Sequence, residues 1–476
     1  MFSYLGFVEA AIVLQPDLFF QEFTGTLQVR RYCSSQITLP AKTMRNLLDR
    51  FLHSQTTGAI VLLAAAALAL FWANSSWSDW YFTLSHQKLG LHIGDDAYLL
   101  SLGHWIKDGL MVIFFFVVGL EIKREIMVGE LSDPRRALLP IAAACGGAAV
   151  PALIYAFFNF STGEGSQGWG IPMATDIAFA LGVLALFGKR VPLGLKVFLT
   201  ALAIVDDLLA ILVIAFFYTS DINITALITA ALLLGLLLWV IRRGVRSPGV
   251  HLPIMIGIWL SVLLSGIHAT IAGVLIAMVY PVRATIPPEM FFDTIKTRIN
   301  QLEASGLTQQ SMLGDKKQLR AINNIYLTTR DMIPVGITLE ENLHSIQAYI
   351  ILPLFALFSA GVVVDSAVLS NLPDAVSMGV FFGLVVGKPI GIMLTCWLLV
   401  KTGMAKLGLG ITWPLLFGCS VLAGIGFTMS IFIAELAFTS PLLINEAKLS
   451  IFAASITAAI LGAIILHFFL PKKKPS

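Results

Sequence analysis

Charge is what this chain has least of. Asp, Glu, Lys and Arg make up 12% of the 476 residues and hydrophobic residues 57%. Soluble domains carry roughly 25% charged residues, so this composition excludes an ordinary soluble globular protein. An excess of one sign is missing too. The net charge is +3, which gives no ground for a nucleic-acid partner. Cysteine is scarce: Cys33, Cys145, Cys396 and Cys419 are scattered, and Cys145 and Cys396 lie in apolar runs. They form neither a disulfide framework nor a metal-ligand cluster, and nothing points to a cofactor.

What is abundant is long apolar sequence. Apolar segments recur at about 58–73, 104–120, 137–158, 174–187, 197–217, 223–241, 251–265, 267–282, 347–364, 376–400, 412–435 and 449–470. Most are far longer than barrel strands, so the expected class is an all-α integral membrane protein with twelve spans and the lipid bilayer as its solvent. Segment 174–187 is short and reads as an interrupted helix. Basic residues test the count. With the N-terminus inside, 27 of the 31 Lys and Arg fall on inner loops and tails, and the outer loops hold only Lys88 and Lys448. Lys107 sits near the outer end of segment two and Lys388 inside segment ten. That asymmetry fits twelve spans with both termini cytoplasmic.

Residues 1–43 read as an N-terminal extension, and Met44 to Leu48 as a more natural start. A secretory signal is disfavoured, since no basic stretch precedes the apolar one and Pro16-Asp17 follow it. Residues 44–476 form the twelve-helix domain. The sizeable polar piece, 284–346, nearly balances its basic and acidic residues. Phe291 to Leu302 and Leu319 to Leu327 fit amphipathic helices there, a cytoplasmic helical hairpin without chemistry.

Four motifs carry the chemistry. Asp206-Asp207 lie inside the apolar run 197–217. One charge near the centre of a spanning helix costs at least roughly 2.5–3.5 kcal/mol, so two in succession point to an ion or proton path. A satisfied polar pair joining helices is the plainer alternative. Ala174 to Gly182 brings Thr175 and Asp176 into an apolar run from a Gly/Pro-rich approach. Thr175 can satisfy backbone freed by a break, and Asp176 alone would serve equally as a helix N-cap. Lys388, between Gly387 and Pro389, lies too deep in segment ten to snorkel and needs a counter-charge, a neutralised state or carbonyl partners. Ala423 to Ser430, with Gly424, Gly426 and Thr428, suits an unwound stretch, or simply close packing by small residues. Glu121, Arg124, Glu125, Glu340, Glu341 and His344 form a polar inner rim, and His268 opens segment eight near the outer face. A histidine titrating near neutrality can report pH.

These four motifs in this order resemble the NhaA-type sodium/proton antiporters, over about Met44 to Phe469. Phe116 to Glu125 and Ser265 to Gly273 are further family-like strings. The resemblance implies inverted repeats with interrupted helices four and eleven, an architecture given for that family. It implies an electrogenic, pH-regulated exchange of Na+ or Li+ for H+ in a bacterial inner membrane, serving Na+ and pH homeostasis. It further implies a homodimer, partly through the Asp79 to Gly94 region, read as a hairpin. Asp206 and Asp207 match its ion and proton site, with Asp207 the more direct cation ligand. Thr175 and Asp176 match the break in helix four, and Gly424 to Ser430, including Gly426 and Thr428, the break in helix eleven. Lys388 matches a lysine that pairs with the first aspartate or compensates helix-end charge. Asp108, Glu121, Glu125, His268 and Glu340 match positions tied to structure or pH response, and His344 joins the pH-response candidates. The 43-residue extension, the long loop before helix nine and Glu341 are departures.

Rival readings are a sodium-coupled solute symporter, a passive channel and an intramembrane aspartyl protease. The protease is an enzyme whose two aspartates face each other from different helices; here the acids are consecutive and no Gly-x-Gly-Asp string occurs.

Overall fold

The computed structural model describes residues 55–93, 96–219, 222–283, 288–304, 316–364 and 373–471. The extension 1–43 lies outside them. Apolar sequence has become helix almost throughout, because a helix satisfies its own backbone polar groups without water. In chain order the helices are α1 (Gln55–Ala73), α2 (Ser78–His86), α3 (Met111–Met127), α4 (Pro134–Asn159), α5 (Ile177–Ala185), α6 (Leu193–Phe217), α7 (Ile224–Arg242), α8 (Pro248–Leu264) and α9 (Thr270–Val279). They continue as α10 (Pro288–Ala304), α11 (Lys316–Met332), α12 (Val335–Ser359), α13 (Ala375–Lys401), α14 (Trp413–Leu422), α15 (Phe427–Ala437) and α16 (Pro441–Phe469).

Among the described residues, seven helices are long and apolar enough to cross a membrane: α1, α4, α6, α7, α12, α13 and α16. Two bent pairs bring the number to nine if each pair is one span. One joins the 3₁₀ segment Gly163–Met173 to α5 at 42°, the other joins α14 to α15 at 47°. The chain is therefore a multi-span helical membrane protein. It is not wholly α: β1 (Lys88–Ile93) and β2 (Asp96–Ser101) form an antiparallel ribbon, Lys88 opposite Ser101. That ribbon lies later than the 79–94 hairpin the sequence suggested, and Ser78–His86 is helical.

Two further boundaries differ. The ninth apolar run was expected from 347, but α12 starts at Val335, so Glu340, Glu341 and His344 sit on its first turns. The twelfth was expected from 449, but α16 starts at Pro441 and takes Lys448 inside the helix, where it is buried. Polar residues at a helix start mask the apolar signal on which a hydropathy boundary depends.

Glycines set the close crossings. A Cβ on Gly273 of α9 would overlap the Val112 carbonyl of α3, and one on Gly391 of α13 would overlap the Gly146 carbonyl of α4. Small residues at such points let helix backbones touch. In α13, Pro389 has no N–H to donate, and a π-helical turn, Gly383–Gly387, precedes Lys388. That turn packs on Pro151 of α4 and on the Gly163–Met173 segment. The bulge thus fixes where Lys388 enters the core.

Candidate functional site

The two bent pairs meet at their breaks, and the exposed helix ends there are satisfied by side chains of the opposite pair. Thr175 Oγ1 donates to the Ala423 carbonyl at 2.7 Å, and the Asp176 backbone N–H to Ile425 at 2.7 Å. Asp176 caps both half-helices that restart here. Its carboxylate accepts from the Phe179 N–H at 3.0 Å, from the Thr428 N–H at 3.2 Å and from Thr428 Oγ1 at 2.5 Å. Each helix N-terminus carries roughly half a positive charge, so one carboxylate facing two of them is well matched. Ser455 of α16 accepts from the Phe427 N–H at 3.1 Å, and Ser430 Oγ donates to the Ile171 carbonyl at 2.8 Å. The N-cap reading of Asp176 thus holds at two helix starts at once.

Gly424 and Gly426 make room for this crossing. A Cβ on Gly424 would strike the Leu384 carbonyl of α13, and one on Gly426 would strike Ser430. Gly424 supplies close backbone approach and Gly426 room for the Ser430 and Leu384 side chains, neither through a positive φ.

Lys388 faces the C-terminal side of the same crossing. Its Nζ donates to the Met173 carbonyl, at the end of the 3₁₀ segment, and to Asp206 Oδ2 at 2.7 Å. Both side chains of this ion pair are 1% exposed. Asp207 stands next on α6, turned about 100° from Asp206. It is equally buried, and its Oδ1 has no hydrogen-bond partner among the described residues. So Thr175, Asp176, Asp206, Asp207, Lys388, Gly424, Gly426 and Thr428 converge on one buried region.

The rim residues divide between two ends of the molecule. Glu121, Arg124 and Glu125 occupy the C-terminal turns of α3. Arg124 pairs with Glu340 of α12 at 3.2 Å, and Glu125 accepts from the Glu130 N–H at 2.7 Å. His344 lies one turn beyond Glu340 and is exposed. A cavity of about 510 Å³ opens here, lined by Glu125, Glu130, Asp133, Arg136, Lys196 and Thr200 among others. His268 is not part of this group. It lies near the start of α3, bonded to Thr270 Oγ1 at 2.8 Å and 3.9 Å from Asp108. About 13 helical residues, roughly 20 Å, separate Asp108 from Glu121 along the chain.

A buried, partly dehydrated carboxylate with an open coordination position, next to a second carboxylate held by a lysine, can bind either a small cation or a proton. The sequence has counterparts among known proteins. A family model described as Na+/H+ antiporter 1 matches residues 49–466. The chain belongs to this antiporter family. Its relatives include a Na+/H+ antiporter NhaA of Oleidesulfovibrio alaskensis, 47% identical over 90% of this chain and 94% of that protein. Those of Wolinella succinogenes and Rhodopirellula baltica are each 43% identical, over 90% and 89% of this chain and 93% and 94% of theirs.

One ionic group of the structure was not singled out in the sequence. Glu435, near the end of α15, accepts from Lys107 and from Lys448, each at 2.7 Å. The signal was a carboxylate at the edge of the apolar run 412–435, together with Lys107 and Lys448, two of the four basic residues that lie off the inner side.

Proposed function

We propose that this chain is a secondary active antiporter, not an enzyme, that exports Na+, and Li+ as well, in exchange for protons across a bacterial inner membrane. The observation that carries this reading is Asp207 Oδ1, buried without a hydrogen-bond partner among the described residues, beside an Asp206 that already has Lys388. A buried carboxylate must be neutralised or paired, and only a proton or a cation is left to do this for Asp207. Na+ and H+ therefore compete for one group. Competition combined with exposure to one side at a time gives exchange.

A cation arriving between the two acids also weakens the hold of Asp206 on Lys388, and either group can then part with a proton. Two proton-bearing groups answering to one Na+ would make the exchange electrogenic. The membrane potential, at about 2.3 kcal/mol per charge per 100 mV, then drives Na+ out. Two N-terminal ends around Asp176 and the C-terminal end at Met173 beside Lys388 balance the fields of the broken helices, so the site can change its charge without an uncompensated helix end.

We read α3, α8 and α9 as the remaining spans, which with the nine above makes twelve, and both termini as cytoplasmic. The cavity at Glu125 then opens to the cytoplasm. Glu125, which lines it, forms the candidate pH-responsive group with Glu121 of α3 and Glu340 and His344 of α12, and His268 serves the outer end. The β1–β2 ribbon, each strand with one edge unpaired among the described residues, suits pairing with a second copy in a homodimer.

The test is proton flux in inside-out vesicles from bacteria lacking their own antiporters. Added Na+ or Li+ should dissipate a preformed proton gradient. If the inserted protein gives no response at any pH, a solute-coupled symporter becomes the better reading. Asp176→Ala is expected to leave cation preference unchanged while lowering turnover or displacing the pH profile. Unchanged turnover and an unchanged profile would remove the charge-balancing role.

A further inference from the structure

Beyond the crossing, α15 carries Thr428, Phe432 and Glu435 along one face, three to four residues apart. Thr428 holds Asp176. One turn on, the Phe432 ring meets Phe115 of α3 and Phe355 of α12, with centroids 5.7 and 6.1 Å away, and the His268 ring at 5.5 Å. This apolar layer stands between the carboxylates and the Lys107 end. Glu435 closes the column, roughly 10 Å of helix rise from Thr428. Its Oε1 accepts from Lys107 and Lys448, both at 2.7 Å, and its Oε2 from Ser359 Oγ at 3.4 Å.

The partners come from two sides. Glu435 and Lys448 belong to α15 and α16, which pack on each other. Lys107 and Ser359 belong to the turn before α3 and to the end of α12, which also pack on each other. We infer that the Glu435–Lys107 bond is a latch that keeps this end closed and breaks each time the carboxylate pair opens toward it, while Lys448 keeps Glu435 partnered. The inference rests on the antiport reading above.

The second lysine is what makes the latch breakable. Removing the sole partner of a buried carboxylate is strongly destabilising. Here the carboxylate retains Lys448, whose side chain is 7% exposed, and Lys107, 28% exposed, returns to water. Opening therefore leaves no orphaned buried charge on either side.

The test is cross-linking in a chain whose four cysteines are replaced by Ala. Lys107→Cys with Glu435→Cys, joined by a short reducible bifunctional thiol reagent, should lose Na+/H+ exchange and regain it on reduction. Glu435→Cys with Lys448→Cys, joined in the same way, should keep exchange, because both positions move together. Exchange that survives the first cross-link, or stops equally with the second, overturns the latch.

Should the double variants fail to insert or to exchange before cross-linking, Lys107→Met decides, since it leaves Glu435 and Lys448 paired. Deuterium uptake in α15 should then rise about tenfold, equivalent to about 1.4 kcal/mol; unchanged uptake overturns the latch. Absence of exchange in the unmodified chain would instead be a failure of the antiport reading.

Discussion

Replacing Asp207 by Asn is expected to abolish cation/proton exchange while the protein still inserts and folds. The substitution keeps the shape and removes the charge that a cation or proton neutralises. Since Asp207 Oδ1 has no hydrogen-bond partner among the described residues, no hydrogen bond of that atom is lost with it. Exchange should fall to background at all Na+ concentrations, because the lost term is the binding of the transported ion and not its affinity range. Thermal melting in detergent should change little, and a neutral amide at this depth is cheaper to bury than an ionised acid. Retained sodium-dependent proton flux would place the transport site elsewhere.

The second large effect falls on stability. Lys388→Met should destabilise the protein by roughly 3–5 kcal/mol, the usual consequence of stripping one partner from a buried ion pair. Asp206 then loses its 2.7 Å contact, and the Met173 carbonyl loses its donor. Adding Asp206→Asn to the same chain should recover most of the loss, since the orphaned charge disappears with it. A melting series of the wild type, the single variant and the double variant checks this. A double variant as unstable as the single one would show that the carbonyl contact, not the ion pair, is the main role of Lys388.

Much of this arrangement was legible in the sequence because buried charge is expensive in a bilayer. Asp206, Asp207 and Lys388 stand out against their apolar neighbours, and a lysine too deep to snorkel needs a counter-charge, a neutralised state or carbonyl partners. The pairing of Lys388 with Asp206 specifically, and not Asp207, depends on the π-turn before Pro389 and on the helix crossing, which no local pattern contains. The double role of Asp176 was out of reach for the same reason. Capping is a local signal, but the second N-terminus that it caps lies 252 residues away. Lys448 reads as a loop charge because a hydropathy run ends where polar residues begin, whereas the helix that starts at Pro441 already includes it. Glu435 was overlooked at the edge of a run, where an acid is ordinarily solvated. The ribbon at Lys88–Ser101 was placed too early because the helical turn Ser78–His86 has no strong periodicity over so few residues.

The proposed antiport depends on competition between Na+ and H+ for Asp207, and proton release measures this directly. Purified protein in weakly buffered detergent, with a pH dye, would receive Na+ at a pH where the site is protonated. The account predicts release of protons that saturates with Na+, absent in Asp207→Asn. Sodium binding seen by thermal stabilisation of the wild type, with no proton released at any pH, would contradict it.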